Sequence, residues 1–227
     1  MLRERATNPK AFIGGGDAVH PGPIGHTIMA WAILKELGAS ALVSRAEIDS
    51  ATKKVVTADA CKIQNLKVAN GVISFDRLDD ALPMPIDPAA EPVLKLAPIL
   101  DELNRYELRI TGLAPGTYEL SIDSESVGKS TAEQLGKGWN LAAGAGPITK
   151  QGQELLKLVV QKNNIFFNRW RSVQLFSFPG WAQSPEAESK RSAELARMDE
   201  KIAESEVQIE KARKPQPHHF ELKPAAP

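Results

Sequence analysis

Apolar residues in this chain change rhythm along its length, and each rhythm predicts a different kind of element. Between Ile24 and Leu37 the residues Ile24, Ile28, Met29, Trp31, Ala32, Ile33, Leu34 and Leu37 cover most of a helical circumference, with Gly38 placed as the C′ stop. A helix apolar nearly all round must be buried between layers. No further α/β repeat is visible in the 227 residues, so its expected partner is a sheet outside this sequence. Ahead of it, Phe12-Ile13 reads as the end of a strand, and Gly14-Gly15-Gly16 lets the backbone turn freely. Residues 1–12 are polar and are expected to cover or extend such a sheet.

From 40 to 125 the rhythm shortens to two. Ala41–Ile48 and Lys62–Val68 alternate in part, and Gly71–Phe75 is a short strand behind an Asn70-Gly71 turn, a good hairpin signal. Ala81–Pro88 is a proline-rich connector. Glu107–Thr111 and Thr117–Asp123, joined by Gly112–Gly116, make the clearest predicted hairpin. Leu108 and Ile110 share one face, as do Tyr118, Leu120 and Ile122.

Helical spacing then returns. Gln153 to Trp170 carries Leu155, Leu158, Val159, Phe166 and Trp170. Ser184 to Lys214 is highly charged, with a thin heptad seam of Leu195, Met198, Ile202, Ser205, Ile209 and Ala212. Pro215 to Pro227 is expected to be extended or mobile. These rhythms divide the chain into 1–38, a β-rich segment 39–148, a helical extension 149–214 and a Pro-rich tail 215–227. The fold class read from the chain as it stands is α+β.

Composition narrows the partners. Lys+Arg 28 balances Asp+Glu 28, which argues against nucleic-acid or membrane-surface binding driven by charge. The single Cys61 excludes an intrachain disulfide and a cysteine-based metal cluster. No apolar run approaches the ~20 residues of a membrane span. No export signal is visible near Met1, so localisation stays open, with export of a longer parent protein compatible. No cofactor or metal is expected.

The candidate chemistry is concentrated in Asp17-Ala-Val-His20-Pro-Gly-Pro-Ile-Gly25-His26. A histidine acting as general base needs a carboxylate to hold its tautomer and stabilise the imidazolium, and a stiff platform to keep its geometry. Asp17 and His20 supply the first two, and Pro21 and Pro23 the third, immediately before the apolar helix. His26 reads as a structural side chain with a buried hydrogen bond.

Asp-x-x-His followed by Pro and, a few residues on, Gly-His resembles the last motif block of the SGNH (GDSL-type) ester hydrolases, over Gly16 to about Gly38. The resemblance implies the carboxy-terminal end of a three-layer α/β sandwich, followed by a β-hairpin-rich segment and carboxy-terminal helices. In such an enzyme His20 would be the base, Asp17 its orienting group, and the substrate a small ester or an acetylated carbohydrate. The family's Gly-Asp-Ser nucleophile block and its oxyanion blocks with Gly and Asn are not found in this sequence, which starts sixteen residues before Asp17. The expectation is a hydrolase piece that is inactive alone.

Other patterns carry less. Ser74, Ser121, Ser124 and Ser177 lie in no Gly-x-Ser-x-Gly or Gly-Asp-Ser setting. Val127-Gly-Lys-Ser-Thr131 ends like a phosphate loop, but Asp123 stands where its first glycine belongs, so a strand leading into a polar turn is expected. His218-His219 reads as solvated, without a carboxylate held nearby. The alternative function is a non-catalytic β-rich module that binds carbohydrate or protein, with Trp139, Trp170 and Trp181 as possible stacking platforms.

Overall fold

The period-two segments become two sheets in the computed structural model, which describes residues 2–8 and 19–225. The element order is α1 (Leu2–Thr7), α2 (Pro23–Glu36), β1 (Leu42–Asp49), β2 (Lys54–Asp59), β3 (Cys61–Ala69), β4 (Val72–Asp79), a 3-10 helix (Pro88–Lys95), α3 (Ile99–Leu103) and β5 (Arg105–Thr111). It continues with β6 (Thr117–Ile122), β7 (Glu125–Thr131), α4 (Ala132–Lys137), β8 (Trp139–Asn140), α5 (Pro147–Asn168), a π-helical turn (Arg169–Gln174), α6 (Pro185–Ala212) and β9 (His218–Pro224). The fold is α+β.

The chain forms two units. One holds residues 1–153 together with 215–227, and the other holds 154–214. In the first unit a four-stranded sheet, β2-β1-β5-β8, faces a five-stranded sheet, β3-β4-β9-β6-β7. Alternation places Ala46, Ile48, Leu108 and Ile110 of one sheet in a single buried cluster with Phe75, Leu120, Ile122, Phe220 and Leu222 of the other. Each of the larger side chains, Ile, Leu or Phe, contributes roughly 1.5–3 kcal/mol on leaving water. In the second unit α5 from Glu154 onward and α6 form a helical hairpin, tied by Lys162–Glu206 at 3.0 Å and by Arg169 with both Asp199 oxygens at 2.5 and 2.8 Å.

The Asn70-Gly71 hairpin forms as expected, both residues having positive φ (52° and 77°), between the antiparallel pair β3 and β4. The hairpin expected from Glu107 to Asp123 does not form. β5 pairs parallel with β1 and antiparallel with β8, whereas β6 pairs with β7 and β9. Gly112 carries the chain across to the other sheet at φ +72°. A Cβ there would sit 2.9 Å from the Ala51 amide nitrogen and from the Asp49 carboxylate. β5 and β6 bury the faces their alternation predicts, but these meet face to face across the core instead of edge to edge.

The Pro-rich tail supplies β9, which is inserted between β4 and β6 with Phe220 and Leu222 fully buried. It is extended, as expected, but held on both edges and so is not a mobile end. Phe220 stacks on Phe75 with centroids 5.1 Å apart.

A buried polar network ties the two sheets. Arg77, fully buried, donates to Asp79 Oδ1 (2.9 Å), Ser44 Oγ (2.7 Å) and the Glu107 carbonyl (3.1 Å), with its guanidinium 4.2 Å over the Tyr106 ring. The Tyr106 hydroxyl donates to Asp79 Oδ2 at 2.6 Å, and burial pushes its pKa well up. Every Arg77 nitrogen has a partner, which is the condition under which a buried charge is tolerated. These groups are enclosed, so the network is structural.

Candidate functional site

Pro23 stands at the first helical position of α2, where its missing N–H costs nothing, and Gly22 is the N-cap. Helix bonding begins with the His26 amide donating to the Gly22 carbonyl at 2.9 Å. At the other end Gly38 takes φ +75°, and the amides of Gly38 and Ala39 reach back to the carbonyls of Lys35 and Leu34. The helix starts and stops where its sequence predicts.

One stripe of α2 is docked. Ile24, Ile28 and Trp31 pack against Val93, Ala97 and Ile99 of the following helical turns. Trp31 Nε1 donates to Glu102 at 3.0 Å and Lys35 Nζ to the same carboxylate at 2.9 Å. The Lys35 hydrogen bond holds the Glu102 carboxyl below its ordinary pKa, against the opposing effect of burial. Glu102 lies 71 residues from Trp31, so no local pattern could have revealed this anchor.

The rest of α2 departs from the expectation of burial between layers. Met29, Ile33, Leu34 and Leu37 are exposed, Ile33 at 56% and Leu37 at 77%. The sequence rhythm was apolar all round, but among the described residues cover exists on one side. A contiguous exposed apolar face of this kind marks a contact surface.

His20 lies on the surface segment that leads into α2, and is exposed. Asp17 falls outside the described residues. His26 is exposed and does not hold the buried hydrogen bond expected of it. Ser74 and Ser121 are mid-strand on β4 and β6, Ser124 sits in the β6–β7 turn at φ 68°, and Ser177 follows the π-helical turn. None of the four stands on a strand-to-helix elbow of the kind that exposes a nucleophile.

Two histidine–carboxylate pairs appear where none was anticipated. His218 Nδ1 lies 2.6 Å from Asp123 Oδ2, and His219 Nδ1 lies 2.7 Å from Asp76 Oδ1. Asp123 also accepts the His219 amide at 2.8 Å, and Asn65 donates to Asp76 at 2.6 Å. The Asn65 and His219 bonds, in that order, hold Asp76 below its usual carboxylate range. For Asp123 burial pushes upward, but the His218 ring and the His219 amide outweigh it and the net shift is downward. The partners come from β4 and from the β6–β7 turn, 143 and 95 residues from the histidines, so local sequence carries no sign of them. Both pairs fasten β9 into its sheet.

The phosphate-loop look-alike is also resolved. Gly128, Lys129 and Ser130 lie within β7, and a Cβ on Gly128 would meet the Trp139 ring at 3.5 Å. Thr131 caps α4 reciprocally with Gln134, a capped helix in place of the expected polar turn. Among the described residues no group of three His, Cys, Asp or Glu could hold a metal ion, and no helix is long and apolar enough to cross a membrane. A pocket of about 180 Å³ lies between the proline-rich loop (Pro83, Pro85, Ile86) and α5 (Ile148, Gly152). It is smaller than the ~300 Å³ at which ligand pockets begin.

No protein-family model matches the chain. No curated protein matches it either. A solved structure described as a gut microbial diltiazem-metabolizing enzyme is similar at a TM-score of 0.81 and 24% identity over 99% of this chain. The chain spans 59% of that structure's length, and at this identity the likeness establishes the fold.

Proposed function

We propose that this chain is the carboxy-terminal part of an SGNH-type serine ester hydrolase, with His20 as its general base and Asp17 as the group orienting it. The observation that carries the reading is the state of α2. An exposed histidine leads into a helix with one stripe docked on its own chain and a second apolar face left open. A hydrolase sheet lying on that open face would bury Met29, Ile33 and Leu34 and bring its own serine toward His20. The similar solved structure supports this reading, since it is described as an enzyme and extends well beyond the length matched here. In the proposed reaction the serine supplied by the remainder of the protein attacks an ester carbonyl. His20 takes the hydroxyl proton and returns it to the leaving alkoxide, while Asp17 holds the imidazole tautomer and steadies the imidazolium. Small acyl esters and acetylated carbohydrates are the proposed substrate class.

The test is p-nitrophenyl acetate hydrolysis by this chain beside a version extended upstream with the hydrolase blocks. Turnover in the extended protein should fall by about 10³-fold or more on His20→Ala, by analogy with other triad bases, and the short chain should show none. Robust turnover by the short chain, or an extended protein indifferent to His20→Ala, would refute the assignment.

A further inference from the structure

Helix α5 and the π-helical turn that follows it carry two apolar stripes, and the chain covers one of them. The first, Leu155, Leu158, Lys162, Ile165 and Arg169, is half-buried and matches the half-buried seam of α6 from Arg191 through Leu195, Met198, Ile202 and Ser205. The second runs Leu156, Val160, Asn163, Phe167 and Trp170, spaced alternately four and three, about 140° round the helix from the first. Val160 is 45% exposed, Phe167 54% and Trp170 44%, with the Phe167 and Trp170 rings edge to face at 6.3 Å. An alternating four-and-three spacing is the signature of a seam that packs against another helix.

We infer that this stripe pairs with the same stripe of a second copy of the chain, antiparallel about a two-fold axis through Asn163. The stripe is nearly palindromic about that residue. Antiparallel pairing sets Asn163 against its own copy, Val160 against Phe167 and Leu156 against Trp170, so each apolar layer joins a smaller side chain to a larger one. An amide both donates and accepts, so two Asn163 side chains satisfy each other and fix the register, the role a lone polar residue plays in a helical seam.

Charge permits the approach. The cations between 156 and 170 are Lys157, Lys162 and Arg169. Each is already engaged on its own chain, with Glu154 (2.5 Å), Glu206 (3.0 Å) and Asp199 (2.5 Å) respectively. None of them lies on the stripe, so like charges do not meet across the axis. The half-exposed Phe167 and Trp170 offer roughly 100 Å² each. With Val160 and Leu156 they form the apolar centre of the contact, and the flanking polar residues of the helix form its rim.

Sedimentation equilibrium of the 227-residue chain at tens of micromolar should give a dimer. Phe167→Glu should abolish it with helicity by circular dichroism unchanged, while Val207→Glu, at an exposed apolar position on α6, should leave it intact. In a Cys61→Ser background, Asn163→Cys treated with diamide should give a disulfide-linked dimer. A monomeric parent chain, a dimer that survives Phe167→Glu, or failure of the Asn163→Cys cross-link would each overturn the inference. So would a monomer that instead binds phosphatidylglycerol vesicles through the same stripe.

Discussion

The sandwich and the helical hairpin draw on comparable apolar sequence and bury it very differently. Among the described residues of the first unit, seventeen buried apolar side chains form one continuous cluster. From Glu154 to Lys214 no residue is fully buried. Two sheets enclose a core between them, whereas two helices can shield each other along one line. Stability should therefore reside in the sandwich, and the hairpin's uncovered aromatic residues are surface available for contact.

The largest test of that contrast is Phe220→Ala in β9. It should cost about 3–5 kcal/mol, as for other buried aromatic truncations, and denaturant unfolding should show the sandwich failing as a unit. Gly112→Ala should follow at roughly 2 kcal/mol, because a positive φ and contact with the Ala51 amide act together. Ile202→Ala in the hairpin seam should cost only about 1 kcal/mol, below the range for buried sites, since its surroundings are half-open. A loss as large as that of Phe220→Ala would mean the hairpin is as well packed as the sandwich. Native-state hydrogen exchange should rank the two units the same way, with amides of 154–214 opening first.

Acid gives the smallest and most local effect. Asp76 and Asp123 are held below their ordinary pKa, so the stability they add is complete above about pH 4 and is lost as pH falls through their depressed values. The side chains are partly exposed, so the loss should be modest. It should appear as faster exchange of the β9 amides ahead of the rest of its sheet. Asp123→Asn should remove much of that pH dependence, and an unchanged profile would show that the clasp contributes nothing.

Local pattern was sufficient wherever the information is local. The limits of α2, the Asn70-Gly71 turn and the α6 seam follow from backbone preference and periodicity within a few residues, and each is found where the sequence puts it. The alternation of β5 and β6 likewise fixed which side of each strand is dry. At the candidate site, the sequence marked Asp17 and His20 and the helix behind them, and the structure adds that His20 is exposed and that one face of the helix is open.

Pairing was decided at long range. Whether β5 joins β6 edge to edge or faces it across a core depends on which other strands compete for its edges, and β1 and β8 take them. The tail becomes a central strand because β4 and β6 offer two free edges more than 90 residues away in sequence. Its histidines acquire carboxylates by the same route. Side-chain period records the face a strand buries, and it carries nothing about the neighbour that will satisfy its backbone.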